Sequence, residues 1–166
     1  PDAQERYYYL HSAGQANSLH GDGTLSADPP AQEPPDISLY NPRRPVPTLG
    51  GQVLLIGPDA MGACDQRPVE ARDDVLVYST PPLDKPIEVT GPVALSLFVA
   101  SSARDTDFTG KLVDVFPDGR AIVLTEGVLR ARYHKALTEP ELLEPGTVYE
   151  LRIDLWATSN VFLTGH

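Results

Sequence analysis

Four histidines, a cluster of aspartates, a pair of arginines, one cysteine and one tryptophan are the residues whose types could do chemistry here. Asp105–Thr106–Asp107 followed by Gly110 looks like the start of a calcium loop, in which closely spaced oxygen donors surround a hard cation. An EF-hand spacing then requires a carboxylate at position 116, and that residue is Phe116, so the EF-hand is rejected. A cation site of another kind is the competing use. The plainer expectation is that Asp105 and Asp107 bond the local backbone at a strand start. Arg130 and Arg132 alternate with apolar Val128, Leu129 and Ala131, which predicts the solvated face of a strand, paired with Asp114 or Glu126. His11, His20, His134 and His166 are scattered through loops and strand ends and read as surface or packing residues. The lone Trp156 reads as core, with a sugar platform as its rival use.

What is missing narrows the chemistry further. The chain has no G-x-S-x-G nucleophile elbow, no H-E-x-x-H, no P-loop and no G-x-G-x-x-G. No catalytic residue, metal site or cofactor is therefore expected. A single cysteine, Cys64, excludes an internal disulfide and any multi-cysteine metal centre. The net charge of -10 would repel a phosphate backbone, so nucleic acid is not expected as a partner. No apolar run approaches the ~20 residues that span a bilayer, so no membrane partner is expected. The compartment stays open between cytoplasm and export, with a lean to the cytoplasm, and homo-oligomerisation is left open as well.

The elements that must position these residues are mostly short strands. With 17 prolines and 13 glycines, the chain is rich in turns and poor in long helices. Tyr7–Tyr9 and Thr24–Ser26 favour extended structure. Ala27 to Asp36 holds Pro29, Pro30, Pro34 and Pro35, which cannot sit inside a sheet and predict an extended surface connection. Further strands are expected at 53–56, 74–79, 93–101, 111–116, 121–125, 128–133 and 148–155. Pro117–Asp118–Gly119 predicts a hairpin turn. Leu95, Leu97, Val99, Leu151, Ile153 and Leu155 are expected to face a core. The one helical candidate is Thr138 to Leu143. The pattern is that of an all-β, antiparallel sandwich.

The string DTDFTGKLVDVFPDGRAIVLTEGVLRARY, from Asp105 to Tyr133, resembles the C-terminal domain of the CocE/NonD family of serine hydrolases. That family includes cocaine esterases, X-Pro dipeptidyl-peptidases and α-amino-acid ester hydrolases, and the wording is nearest to cocaine esterase-like members. YNPRRPVPTLGG (40–51), DQRPVEARDDVLVYST (65–80), EVTGPVALSLFVASSA (88–103) and ATSNVFLTGH (157–166) carry the same resemblance in the same order.

The resemblance implies a galactose-binding-like jelly roll spanning residues 1–166, accessory to an α/β-hydrolase domain and a helical cap. It implies that those two domains are missing before Pro1 and that the last strands are missing after His166. The serine nucleophile and its partners would lie in the absent part, so this chain alone is expected to be inactive. Its partners would be the hydrolase and cap domains, and an ester or peptide substrate through them. By the same resemblance Leu54 and Leu55 would form a wall of the acyl pocket, against a plain core role. A stand-alone carbohydrate-binding module is the alternative function, and rests on fold analogy.

Overall fold

In a computed structural model, residues 3–52 and 61–166 are described. The described chain is almost wholly strand and loop. Its strands are β1 (Tyr9–His11), β2 (Thr24–Ser26), β3 (Ile87–Val99), β4 (Asp107–Val115), β5 (Ala121–Arg130) and β6 (Tyr149–Phe162). They pair antiparallel as β1–β2, β3–β6 and β4–β5. One short helix, α1 (Arg67–Glu70), and a 3-10 turn at Ala131–Tyr133 complete the elements.

The β4–β5 hairpin turns where expected. The Phe116 carbonyl accepts the Gly119 N–H at 2.8 Å, Phe116 N–H donates to the Arg120 carbonyl, and Gly119 takes the left-handed conformation at φ +84°. Pro117 presets the first turn angle and glycine tolerates the last. β5 does not stop at Thr125; it runs unbroken to Arg130, joining two segments that read as separate in the sequence.

The hairpin lies against the β3–β6 pair. A Cβ on Gly110 would fall 2.7 Å from Leu95 Cδ2, and one on Gly127 would fall 2.0 Å from the Asp154 carbonyl oxygen. Glycine at these two places lets the layers approach. The core between them is Ala121, Val123 and Thr125 of β5 with Leu151, Ile153 and Leu155 of β6, all buried. Leu95, Leu97 and Val99 face the same way and are half-buried, so the expected inward face of each strand holds. Thr125 Oγ1 donates to the Leu155 carbonyl, satisfying a buried hydroxyl.

Three expectations are corrected. Trp156 is not core: it is 63% exposed. Pairing passes from Pro92↔Ala157 to Ala94↔Asp154, so β6 carries one extra residue there, and Trp156 sits in that bulge at φ +65°. The extra residue reverses the alternation beyond it, which is what a bulge does to a period-two pattern. Residues 138–143 are not helical. Pro140 interrupts them, and Glu141 and Leu143 give their N–H groups to Arg132 and Arg104 instead. Helix forms at Arg67–Glu70, where Pro68 fits the first turn. The 74–79 segment makes isolated bridges, Asn17↔Leu76 and Thr24↔Ser79, rather than a regular strand.

Candidate functional site

Leu54, Leu55 and the expected 53–56 strand lie outside the described residues. Both flanks of that segment are described, and they take part in a connected polar assembly. Gly51 and Gly62 exchange both backbone hydrogen bonds, at 2.8 and 2.9 Å, so the segment between them leaves and re-enters at one point. On its far side Cys64 and Gln66 bond the edge of β5: Val123 N–H donates to the Cys64 carbonyl at 3.2 Å and Gln66 N–H to the Ala121 carbonyl at 2.7 Å.

Gln66, at 1% exposure, is the hub. Its amide nitrogen donates to the carbonyls of Leu49 (2.8 Å) and Cys64 (3.1 Å), while its oxygen accepts from Lys111 Nζ at 2.9 Å. Lys111 Nζ also stands 3.2 Å from Glu126 Oε2. Glu126 Oε1 accepts the Gln52 N–H at 3.2 Å, and Gln52 Nε2 donates to Thr125 Oγ1 at 3.0 Å. A lysine and a glutamate on the paired positions Lys111↔Glu126 thus fix a loop base through a buried glutamine. A charge pair with its remaining valences filled is the form in which partly buried charges persist. Sequence reading missed this network; the adjacent Gly50–Gly51 was its one signal.

Asp65 anchors the next turn. Its Oδ1 accepts the N–H groups of Arg67 and Ala121, both at 3.2 Å, and its Oδ2 accepts Arg67 Nε at 2.8 Å. The Arg67 guanidinium first, and then these backbone donors, pull the Asp65 carboxyl from 3.8 to about 2 against the opposing effect of burial. Burial, helped by Asp65, raises the nearby Glu70.

The calcium-loop aspartates are taken by arginine. Arg130 Nε and Nη2 donate to the two oxygens of Asp107 at 2.8 and 2.9 Å, and Arg132 Nε donates to Asp105 at 2.7 Å. These bonds lower both carboxyls. The arginines therefore do not pair with Asp114 or Glu126 as expected. Asp114 instead accepts from His166 at 2.8 Å, both side chains under 10% exposed, and the His166 ring packs 4.4 Å from Phe116. His134 Nδ1 lies 3.0 Å from the Ala131 carbonyl and its ring packs on Tyr149. No group of three or more potential metal ligands occurs among the described residues.

One arrangement mimics a hydrolase triad. Glu33 Oε1 is 2.7 Å from His11 Nδ1, and Ser26 Oγ is 3.2 Å from His11 Nε2. Ser26 also lines a cleft of about 530 Å³ with Ser18, Thr24, Val77 and Ser79. The proton bookkeeping fails, however. Nε2 is closer to the Asp28 carbonyl, at 2.9 Å, which accepts only from a protonated nitrogen. With carboxylate on one side and carbonyl on the other, the His11 pKa is raised: Glu33 first, then the Asp28 carbonyl, lift it above 6.5 while burial opposes them. A ring nitrogen that donates to the Asp28 carbonyl has no lone pair with which to take a proton from Ser26. Ser26 Oγ itself accepts the Asp28 N–H at 3.2 Å, so the group ties the proline-rich connection to β1 and β2.

The model of the X-Pro dipeptidyl-peptidase C-terminal non-catalytic domain matches residues 1–166, and the chain belongs to that family. It is 55% identical over 166 residues to cocaine esterase of Rhodococcus sp. (strain MB1 Bresler), covering all of this chain and 29% of that protein. Among solved structures it is similar to an aminopeptidase from a marine sediment Thaumarchaeota archaeon. There the TM-score is 0.76 and the identity 29%, over 97% of this chain and 28% of that one. It is also similar to an α-amino acid ester hydrolase, with TM-score 0.75 and 25% identity over 93% of this chain and 27% of that one. The chain thus spans less than a third of the relatives it matches.

Proposed function

We propose that residues 1–166 form one galactose-binding-like jelly-roll domain that serves an α/β-hydrolase-type serine hydrolase. In this reading it docks on the catalytic and cap domains and helps shape the acyl pocket, with Leu54 and Leu55 as part of the wall. The observation that carries the reading is the full-length match to a non-catalytic domain family, together with a 29% share of cocaine esterase. The chemistry of the parent would be attack of a serine on an ester or amide carbonyl through an acyl-enzyme. This domain supplies no catalytic group to it; the polar assembly around Gln66 holds the base of the 53–60 segment.

The test is Leu55→Ala in the full-length hydrolase, assayed as kcat/KM on a series of esters differing in acyl size. The expected result is a changed ranking of acyl groups with a melting temperature near wild type. Equal losses on every ester, together with an unfolded domain, would assign the leucine to the core instead. A carbohydrate-binding role keeps one favourable observation, the exposed indole of Trp156. Glycan-array binding by the chain that disappears in Trp156→Ala would establish that rival.

A further inference from the structure

We infer that His11 is a one-proton latch: the protonated ring pins the 28–33 connection to β1 and β2 at both ends, and loss of its proton frees the Asp28 end. The connection has little else to hold it. Residues 28–35 are exposed, and among the described residues no backbone–backbone hydrogen bond reaches residues 28–36. Pro29, Pro30, Pro34 and Pro35 have no N–H to offer. Side chains make the bonds, at two places. At Asp28 the carbonyl faces His11 Nε2 at 2.9 Å and the N–H donates to Ser26 Oγ at 3.2 Å. At Glu33 one carboxylate oxygen faces His11 Nδ1 at 2.7 Å and the other accepts the Ser12 N–H at 3.2 Å. Beyond them Asp36 is fixed without His11, by Ala16 N–H (2.8 Å), Ser12 Oγ (2.7 Å) and Tyr78 Oη (2.6 Å).

Both of these partners on the ring are acceptors. A carbonyl and an ionised carboxylate have no proton to give, and an imidazole carries N–H on both nitrogens only when it is protonated. The neutral ring has a single N–H and must let one partner go. Glu33 keeps it, because a charged acceptor makes the stronger bond. The proton lost is then the one on Nε2; it passes to solvent, and the Asp28 carbonyl loses its donor. Ser26 Oγ, 3.2 Å from Nε2, accepts from that nitrogen when it is protonated and donates to it when it is bare, so it serves both states. The charged groups that act on His11 are Glu33 and Asp28, both from the connection itself, while β2 brings the neutral Thr24 and Ser26. Asp36 bears on Glu33. Glu33 first, with the Asp28 carbonyl after it, raises His11 above 6.5 against burial, which places the release above that value.

The experiment puts a nitroxide spin label on Gln32→Cys in the full-length protein, with Cys64→Ser and any further cysteine of the polypeptide replaced. Its mobility is followed by electron paramagnetic resonance between about pH 5 and 9. A second sample carries the label on Ser96→Cys, on the exposed face of β3. The Gln32 label is expected to lose its immobilised component in a one-proton step above pH 6.5, while the Ser96 label keeps its spectrum. His11→Gln, which has no titrating proton, should abolish the step. Glu33→Gln removes the carboxylate that raises His11 and should move the step to lower pH; where His11→Gln does not fold, this shift decides alone. A Gln32 label of constant mobility across the range overturns the inference. So does a step that survives unchanged in these variants, and so does a step shared by the Ser96 label, which would be unfolding of the domain rather than release of the connection.

Discussion

The Glu126 carboxylate occupies the space a side chain on residue 51 would need: a Cβ built on Gly51 falls 1.9 Å from Glu126 Oε1. Gly51 also has φ +86°, where an L side chain is strained. Gly62, its hydrogen-bonded partner, has φ +81° and, among the described residues, nothing within 4 Å of its Cβ position. The two glycines thus separate backbone strain from collision. Gly62→Ala is expected to destabilise by about 1 kcal/mol and Gly51→Ala by about 2–3 kcal/mol, because the second also displaces Glu126 from Lys111. Urea midpoints at constant m-value check this, and equal losses would show that Glu126 swings aside freely.

Lys111 and Glu126 are 23% and 18% exposed, enough protection for the pair to matter. Lys111→Met strands Glu126 and unties the Gln66 oxygen, with an expected loss of about 1–2 kcal/mol. Lys111→Met with Glu126→Gln should lose less than the sum of the single changes, by about 1 kcal/mol, in a double-mutant cycle. Strict additivity would mean the pair is ornamental.

Asp65 gives an acid-side signature. Its carboxyl is lowered in the folded chain from 3.8 to about 2, so its contribution is present above 3.8 and disappears as pH falls toward about 2. At 29% exposure solvent weakens the effect, and a share of about 1–2 kcal/mol is expected. Asp65→Asn should be less stable than wild type by that amount at pH 7, with the gap closing near pH 2. A gap independent of pH in chemical denaturation would contradict the assignment.

His11 and Glu33 behave in the opposite sense on their two sides. His11 is raised by Glu33, so its contribution is full below 6.5 and fades as pH climbs through the raised value. Glu33 is lowered by His11, so its contribution is full above 4.5 and fades as pH falls through the lowered value. The tether is strongest between those two ordinary values. An NMR titration should place His11 above 6.5, Glu33→Gln should bring it down, and Ser26→Ala should leave it almost unmoved. A His11 that titrates below 6.5 in the wild-type chain would reopen its use as a base toward Ser26.

Sequence alone determined the class of fold and the family. Strand alternation in β3 and β6, the Pro117–Asp118–Gly119 turn and the lack of long amphipathic patterns reflect local geometry, in which each residue's neighbours along the chain suffice. The proline-rich stretches were legible for the same reason, since a missing N–H excludes ladder pairing wherever the chain goes. Tertiary structure decided the partners. Lys111, Gln66, Gln52 and Glu126 are up to 74 residues apart, and only the packing of the 61–66 segment along β5 brings them into one network. Arg130 chose Asp107 because strand register sets them opposite, and Arg132 chose Asp105 where the two chains run on beyond the ladder, with Ala131 N–H bonded to the Thr106 carbonyl. Trp156 left the core because one extra residue in β6 turned it outward, and no local pattern announces where a partner strand will lack its match.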